Sequence, residues 1–400
     1  MKGIYMDHNA TTPVHPEVME AMLPFFSEHF GNPSSMHWAG REVKKGVETA
    51  REAVASFIKC DPKEIVFTGG GSESDNLAIK GICEAYRDKG NHIITTKVEH
   101  PAVLHTCEYM EKQGFHVTYL PVDMDGMINL DDLKNAVTEK TILITVMFAN
   151  NETGSIFPIA EIGKIAKERK IIFHTDAVQA GGKLQLDVNA LNVDLLSLSA
   201  HKLYGPKGIG ALYVRKGVKI KPLIHGGGQE RNRRAGTENV TGIVGIGKAC
   251  EIAMRDMDAE SERLLRLRER LHKGLTQKIE HVKLNGHPTM RLNNTLNVSF
   301  EYVEGESLLL NLDMDGVAAS SGSACSSGSL EPSHVLTAMG LPHEVAHGSV
   351  RFSLGRSNTE ADIDKIIEIM PPVVERLRAM SPLYGKVLNP VERTTAVCHH

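Results

Sequence analysis

Residues 198–208 read LSAHKLYGPKG and continue an apolar run that begins at Leu195. A short apolar run followed by glycine and proline is typical of a buried strand and the turn that ends it. We therefore expect Lys202 just past a buried strand, held inside a pocket by that turn. Partial desolvation favours the neutral amine of a lysine, which can then form a Schiff base with a carbonyl group.

A second strand-like run, residues 171–173, leads into the sequence HTDAVQ at residues 174–179. Its Asp176 could pair with the protonated nitrogen of a pyridine ring. A Schiff-base lysine and an aspartate for the ring nitrogen are together the signature of enzymes that use pyridoxal 5'-phosphate (PLP). The two segments therefore predict PLP as the cofactor.

Short β-branched runs alternate with helical patterns, such as residues 41–57 and 159–169, over about residues 45–215. This alternation predicts an α/β layer structure with a mostly parallel sheet. The seven strand candidates are residues 65–67, 92–96, 116–120, 142–148, 171–173, 195–198 and 211–214.

The pattern changes after about residue 240, and 400 residues are too many for one ordinary core. One or two charged helices over 240–278 precede strands at 295–300 and 350–354 and a final helix that Thr359 and Asp362 can cap. We predict a large cofactor-binding domain over residues 14–258. Residues 1–13 and 259–400 would form a smaller α+β domain, which carries a Gly/Ser-rich loop around Cys325.

Composition argues against several classes of protein. The formal charge of −4 gives no reason to expect nucleic acid as a partner, and no apolar run is long enough to span a bilayer. The first residues lack the apolar core of a signal peptide. The six cysteines form no CxxC pair, which argues against a zinc site or a disulfide framework. We therefore expect a cytoplasmic protein with no stably bound metal.

Several polar residues follow directly on strand candidates, namely Ser72, His100, Asn151, Asp176 and Lys202. In parallel sheets, ligands bind beyond the carboxyl ends of the strands, so this shared placement predicts one site. The turn GGGS at residues 69–72 could bring backbone N–H groups to a phosphate, although it is not a P-loop. Each residue alone has a plainer explanation, as a helix cap, a turn residue or a structural histidine.

Two residues of the second domain also suggest chemistry. Cys325 lies in the polar stretch SSGSACSSGS at residues 320–329, which suits an exposed nucleophile better than a packed thiol. Arg351 lies inside an apolar strand candidate, where it needs an anion. That anion could be a substrate carboxylate or an internal acidic side chain. A basic, glycine-rich stretch at residues 225–237 is either a solvated loop or a phosphate-binding segment.

Taken together, these residues resemble the cysteine desulfurases, PLP-dependent enzymes of the class V aminotransferases with the type I transferase fold. The resemblance covers nearly the whole chain and is greatest to the branch that serves iron–sulfur cluster assembly and nitrogen fixation. The matching segments are DHNATTP (7–13), FGNPSS (30–35), VEHPAV (98–103), ANNETG (149–154), HTDAVQ (174–179), LSAHKLYGPKG (198–208), RAGTEN (234–239) and SSGSAC (320–325).

The resemblance implies roles for the residues around the cofactor. Lys202 would hold PLP and then move the substrate Cα proton, Asp176 would contact the ring nitrogen and Gln179 the ring hydroxyl. His100 would stack on the ring and act as an acid–base group. The remaining contacts implied for the cofactor, most of them to its phosphate, come from Gly71, Ser72, Asn151, Ser199, His201 and, from the second subunit of a homodimer, Thr237. The family often has Ala-Thr at positions 71 and 72, so we expect a looser turn that keeps the hydroxyl.

The resemblance also implies the reaction. Asn151 and Arg351 would hold the carboxylate of L-cysteine, and Cys325 would attack its sulfur, which yields L-alanine and a persulfide. The sulfur would pass to an iron–sulfur scaffold or another acceptor protein, for nitrogenase maturation or for general cluster assembly, and Cys325 could transiently bind a cluster. A small-amino-acid aminotransferase, a selenocysteine lyase and a PLP-binding docking protein remain as alternatives.

Overall fold

The computed structural model describes residues 3–321, 332–382 and 384. Cys325 lies outside this part of the chain. The strands of the described residues are β1 Ile4–Tyr5, β2 Ile65–Thr68, β3 His92–Thr96, β4 His116–Leu120, β5 Thr141–Thr145, β6 Ile172–Asp176, β7 Leu195–Ser199, β8 Gly210–Val214, β9 Val282–Asn285, β10 Thr295–Phe300, β11 Val317–Ala318 and β12 Ser349–Ser353.

The helices lie mostly between these strands. They are α1 Pro16–Met22, α2 Pro24–Ser27, α3 Trp38–Ile58, α4 Gly71–Ala85, α5 Pro101–Lys112, α6 Leu130–Ala136, α7 Ile159–Arg169, α8 Gln229–Asn232, α9 Val240–Lys278, α10 Gly305–Met314, α11 His334–Ala338, α12 His343–His347 and α13 Glu360–Met380. Short 3₁₀ turns occupy Pro62–Glu64 and Ala200–Lys202.

The central sheet has seven strands in the order β2-β8-β7-β6-β5-β3-β4. Strands β7, β6, β5, β3 and β4 are parallel to their neighbours in that series, and β8 runs antiparallel to both β7 and β2. The predicted α/β fold with a mostly parallel sheet is therefore confirmed. Because both faces of the sheet are covered, β3, β5, β7 and β8 are buried along their whole length.

Strand β6 differs from its predicted bounds. It begins at Ile172 and continues through Asp176, three residues beyond the predicted end at 173. His174 and Asp176 therefore pair with β7 as part of the ladder, instead of lying in the loop that follows. The apolar run 171–173 covers only the start of the strand, because polar side chains in a buried strand break the apolar pattern that marks it.

The long helix α9 takes part in two apolar cores, one with each half of its length. Its N-terminal half, from Ile243 to Ala253, packs into the core of the large sheet, and its C-terminal half, from Leu264 to Leu275, packs with β10, β12 and α13. The predicted boundary at residues 258/259 falls between these halves. The division into two domains stays a prediction, which this separation of the cores supports. Helices α11 and α12 do not follow the predicted division, because their residues Leu336 and Ala346 pack in the core of the large sheet.

Helix α9 is one continuous element of 39 residues. The side chain of its N-cap residue, Asn239, accepts a hydrogen bond from the Gly242 N–H. Glycine lets α9 pack closely on α3, because a Cβ at Gly247 would lie 2.6 Å from the Ala50 Cβ.

At the other end of the chain, Thr359 and Asp362 form the predicted capping box of α13. No helix of the described residues is long and apolar enough to cross a membrane.

Candidate active site

One cavity of about 280 Å³ opens where the parallel strands end. All the predicted site residues of the described chain line it, except Thr237. Its lining residues are Asn9, Ala10, Gly71, Ser72, Asp75, His100, Met147, Ala149, Asn151, Asp176, Val178, Gln179, Ser199, His201, Lys202 and Arg351. The loops after β2, β3, β5, β6 and β7 supply most of them, which is the placement expected for a ligand site in a parallel sheet.

The amine of Lys202 is held by the backbone of the N-terminal segment. The lysine closes the 3₁₀ turn Ala200–Lys202, directly after buried strand β7. Its Nζ donates to the carbonyl oxygens of Asn9 and of Ala10, the latter at 2.7 Å. These carbonyls hold the amine at a fixed position in the cavity, as the Gly/Pro turn predicted.

Asp176 ends strand β6 and lines the same cavity. Its Oδ1 accepts a hydrogen bond of 2.9 Å from the Val178 N–H. Burial raises the pKa of the carboxyl to about 6, while the nearby Lys202 and the Val178 N–H work in the other direction. Above that pH the carboxylate carries a negative charge that a ring N–H can use.

The side-chain amide of Gln179 has a hydrogen-bond partner for its nitrogen but none for its oxygen. Its Nε2 donates to the Asn9 carbonyl at 3.0 Å, whereas its Oε1 is buried and has no partner. A buried oxygen without a donor costs free energy unless a ligand supplies one. The residue lines the cavity, so a ring hydroxyl there would satisfy this oxygen.

His100 is the N-cap of α5, and its Nδ1 accepts a hydrogen bond of 3.1 Å from the Ala102 N–H. A neutral ring with this acceptor carries its proton on Nε2. Burial and the charge of Lys202 lower the pKa of His100 to about 4. The ring is therefore neutral at physiological pH and has one N–H to donate into the cavity.

The glycine-rich turn and α4 form a cradle for an anion. Gly70 adopts a φ of +153°, which L side chains rarely adopt, and a Cβ on Gly71 would lie only 2.8 Å from Val178 Cγ2. No side chain caps the N-terminus of α4, which leaves backbone N–H groups for a ligand. Ser72, Ser199 and His201 line both the main cavity and an adjoining open one. This donor set fits a phosphate group.

Arg351 lies on strand β12 and is almost completely buried, with 3% of its surface exposed. Its Nη2 donates to Asp7 Oδ1 at 2.8 Å, and its Nη1 donates to the Asn151 carbonyl at 2.9 Å. The internal ion pair considered from the sequence is thus present. Nε of the same guanidinium is buried without a partner, so the arginine keeps a donor for a further anion.

The two ends of the segment that contains Cys325 are attached beside this cavity. Ser320 exchanges backbone hydrogen bonds with Arg351, at 2.7 and 3.3 Å. Ser333, which follows the segment, donates its hydroxyl to the buried carboxyl of Glu152, the neighbour of Asn151. Cys325 itself lies outside the described residues.

Thr237 does not line the cavity of its own chain and is exposed. It follows a strained turn in which Glu230 and Arg231 have positive φ angles. A buried bidentate ion pair between Arg51 and Glu230, with N–O distances of 2.8 and 2.9 Å, braces that turn. Thr237 is therefore the one predicted site residue of the described chain that lies outside this cavity.

Two polar residues of the cavity, Asn9 and Asp75, were not predicted from the sequence. Asn9 accepts hydrogen bonds from Lys202 and Gln179 through its carbonyl oxygen, and its position in DHNATTP was noted only for the resemblance. Asp75 lies within α4 and has 1% of its surface exposed. Its apolar helical neighbours could have marked it, because a carboxyl on the buried face of a helix needs a reason to be there. No group of described residues could hold a metal ion.

Comparison with known proteins agrees with this geometry. The family model described as aminotransferase class-V matches residues 4–366. The chain is 61% identical over 385 residues to the cysteine desulfurase IscS of Methanosarcina thermophila, covering 96% of this chain and 95% of that protein. The corresponding protein of Clostridium botulinum is 59% identical, with 96% and 97% covered.

Solved structures give the same result. A structure titled as a NifS-like protein superposes with a TM-score of 0.88 at 40% identity and covers 94% of this chain and all of that chain. SspA in complex with cysteine superposes with a TM-score of 0.80 at 42% identity, covering 88% and 98%. These relationships confirm the family, the fold and the enzyme class predicted from the sequence. The chain belongs to the class-V aminotransferase family and, within it, to the cysteine desulfurases.

Proposed function

We propose that this protein removes the sulfur of L-cysteine, releasing L-alanine and leaving a persulfide on Cys325. The observation that carries the proposal is a single cavity with Lys202, Asp176 and His100 on its walls, beside which both ends of the Cys325 segment are attached. A Schiff-base lysine, a buried carboxylate for the ring nitrogen and a nucleophilic thiol are together what this chemistry needs.

The cofactor that fits this cavity is PLP. Gln179 Oε1 is a buried oxygen that lacks a donor, and the glycine turn before α4 offers free N–H groups beside Ser72 and Ser199. Lys202 would hold the aldehyde carbon, and Asp176 would accept a hydrogen bond from the ring nitrogen. When bound, PLP withdraws electrons from the Cα of an amino acid joined to it through its amine.

Protons are handled by the chain's own residues. Lys202 Nζ lies next to the carbonyls of Asn9 and Ala10 and would take the Cα proton. His100 presents its Nε2–H to the same space, since its Nδ1 is occupied by the Ala102 N–H. Arg351 and Asn151 would orient the substrate carboxylate.

Sulfur transfer needs a thiolate that can reach the substrate. The Cys325 sulfur attacks Sγ of the bound cysteine, an S–S bond forms, the Cβ–Sγ bond breaks, and its electron pair returns to the carbon skeleton, which is protonated to alanine. Buried thiols are poor candidates for this role. Burial raises the pKa of Cys60 to about 12 and moves the pKa values of Cys83, Cys107 and Cys250 upward as well.

We further propose a homodimer in which Thr237 of one subunit completes the phosphate site of the other. Thr237 is exposed and does not line the cavity of its own chain. The N-terminal part of the chain exposes large apolar side chains, Phe26, Phe30, Met36 and Trp38, which are between 64% and 91% accessible. Exposed apolar side chains of this size are typical of residues that a second subunit covers.

The persulfide must have an acceptor. We propose a scaffold protein for iron–sulfur cluster assembly or another sulfur acceptor in the cytoplasm, with Cys325 as a transient cluster ligand at most. A selenocysteine lyase would use the same residues on selenium in place of sulfur. An aminotransferase has no use for Cys325, and a docking protein without catalysis has no use for the assembled cavity.

Product analysis tests the proposal. The purified protein, loaded with PLP, is given L-cysteine and a reductant, and sulfide and alanine are measured for wild type, Cys325→Ala and Cys60→Ala. We expect equal amounts of both products from wild type and Cys60→Ala, and almost none from Cys325→Ala with PLP still bound. Pyruvate and ammonia, or full sulfide release by Cys325→Ala, would overturn the persulfide mechanism. L-Selenocysteine in a parallel assay separates the lyase alternative.

A further inference from the structure

A second buried carboxyl group lies beside the one that faces the cofactor site. Asp75 of α4 lines the same cavity as Asp176, and the two residues are 1% and 7% exposed. Two carboxylates in one buried site repel each other, so both cannot be ionised at low cost. One proton therefore has to be accommodated on this pair or on its neighbours.

The face of the sheet beneath Asp75 carries a row of polar side chains. Thr145, His174 and Ser197 lie on three adjacent strands, β5, β6 and β7, with His174 in register with Thr145 and Asp176 in register with Ser197. His174 and Asp176 are two residues apart on β6, so their side chains share that face. Helix α4 covers the row and places Asp75 against it.

Hydrogen bonds connect the three side chains of this row, and Asp75 lies next to it. His174 Nδ1 lies 2.8 Å from Thr145 Oγ1, and His174 Nε2 lies 2.9 Å from Ser197 Oγ. Asp75 Oδ1 lies 3.7 Å from His174 Nε2, and the nearby Ser197 hydroxyl works against the rise in the pKa of Asp75. All of these groups are buried, and burial lowers the pKa of His174 to about 3, so the ring is neutral.

Because the neutral His174 lies between two hydroxyl groups, the donors and acceptors of these hydrogen bonds can be arranged in two ways. If Asp75 is ionised, Ser197 donates to it, His174 carries its proton on Nε2, and Thr145 donates to Nδ1. If Asp75 is protonated, it donates to Ser197, Ser197 donates to Nε2, and His174 carries its proton on Nδ1. The histidine tautomer thus reports the protonation state of Asp75.

The surroundings favour a proton on Asp75 over one on Asp176. Asp176 has the Val178 N–H and the nearby Lys202 amine to stabilise its charge. Asp75 has one oxygen without a hydrogen-bond partner, and the closest ring nitrogen, His174 Nε2, is 3.7 Å from it. The other titratable groups that face the pair are Glu99, whose pKa burial raises to about 8, and the neutral rings of His100 and His174.

We propose that Asp75 is a positioning residue that holds a proton through the Asp75–Ser197–His174–Thr145 chain, so that the single negative charge of the pair is on Asp176. The inference rests on the proposed function only for the identity of the ring nitrogen that Asp176 meets. Burial and the charge of Asp176 raise the pKa of Asp75 well above its usual range, which supports this assignment.

Infrared difference spectroscopy of the full chain, with and without PLP, tests the proposal. At neutral pH, wild type minus Asp75→Asn should show the carbonyl stretch of a protonated carboxylic acid. Asp364→Asn is the matched control, because Arg270 lowers the pKa of Asp364 and its removal should leave that region unchanged. Ser197→Ala should keep the band and shift it, since the acid loses its acceptor. Absence of the band in wild type, with Asp75→Asn folded, would overturn the proposal.

Two further readouts separate this proposal from the function itself. In ¹⁵N-histidine spectra, His174 should be protonated on Nδ1 in wild type, and protonation on Nε2 would contradict a proton on Asp75.

Asn resembles a protonated Asp, so Asp75→Asn should bind PLP about as tightly as wild type. Asp176→Asn should bind it roughly tenfold more weakly, having lost a charge-assisted hydrogen bond. Equal weakening in both variants would show that Asp75 is charged. The carboxylic-acid band of Asp75 and the tautomer of His174 do not depend on turnover. Both can therefore be interpreted even if the product assay fails.

Discussion

Arg351 donates from Nη2 to Asp7 Oδ1 at 2.8 Å, so the arginine assigned to the substrate carboxylate already has an internal anion. The same guanidinium also donates to the Asn151 carbonyl. The pair fixes the plane of the guanidinium and leaves its Nε without a partner. Asp7 thus orients the arginine and leaves it one donor for a further anion.

Arg351→Lys should separate this orientation from simple charge. A lysine keeps the positive charge but cannot bond Asp7, Asn151 and a carboxylate in one plane. We expect KM for L-cysteine to rise about tenfold, with a smaller change in kcat, since bidentate contacts contribute roughly 1.5–3 kcal/mol. Steady-state kinetics measure both constants, and an unchanged KM would show that Arg351 does not bind the substrate.

His100→Asn should remove the ring from the cavity and keep the helix cap. The Nδ1 of His100 caps α5, and asparagine is among the best N-cap residues. The free energy of unfolding should therefore stay within about 0.5 kcal/mol of wild type, while kcat falls by roughly 10²-fold or more. In His100→Ala the cap is lost as well, and we expect a further cost of about 1 kcal/mol. Urea titration and turnover together distinguish the two roles.

Glu152→Gln should change how stability depends on pH. Burial raises the pKa of Glu152 to about 7, against the opposing effects of Ser333 and Arg351. The folded state then binds a proton that the unfolded chain has lost, so this group stabilises the protein fully at acidic pH and loses that contribution as pH rises toward 7.

Glutamine keeps an acceptor for Ser333 and cannot titrate. Relative to wild type, Glu152→Gln should gain roughly 2–3 kcal/mol between about pH 5 and pH 8, which follows from a shift of this size. Urea unfolding at both pH values measures the difference. A constant difference between the two proteins would mean that Glu152 does not titrate over this range.

Glu230→Ala should destabilise the turn that precedes Thr237. It leaves Arg51 buried without its bidentate partner and removes the acceptor of the Phe67 N–H. Loss of one partner of a buried ion pair costs about 3–5 kcal/mol. The double variant Arg51→Met/Glu230→Leu should recover most of that loss, and equal destabilisation in both would show that the ion pair is not responsible. Urea midpoints give the comparison.

Lys202 and His100, which the sequence predicted to share one site, line one cavity, and there is a physical reason for this. In a parallel sheet the carboxyl ends of the strands meet at one edge, so polar residues after successive apolar runs had to come together. The same reasoning failed at β6. His174 and Asp176 belong to that strand, and their polarity interrupted the apolar pattern from which its end was predicted.

What the sequence alone determined was the order of the strands along the chain, the residue types available at their ends and the family to which they belong. Only the tertiary structure decided that Asn9 holds Lys202, that Asp7 pairs with Arg351 and that Asp75 lies against Asp176. These contacts join residues far apart in the chain. Local periodicity reports which face of an element is buried, but not which distant polar group meets it there.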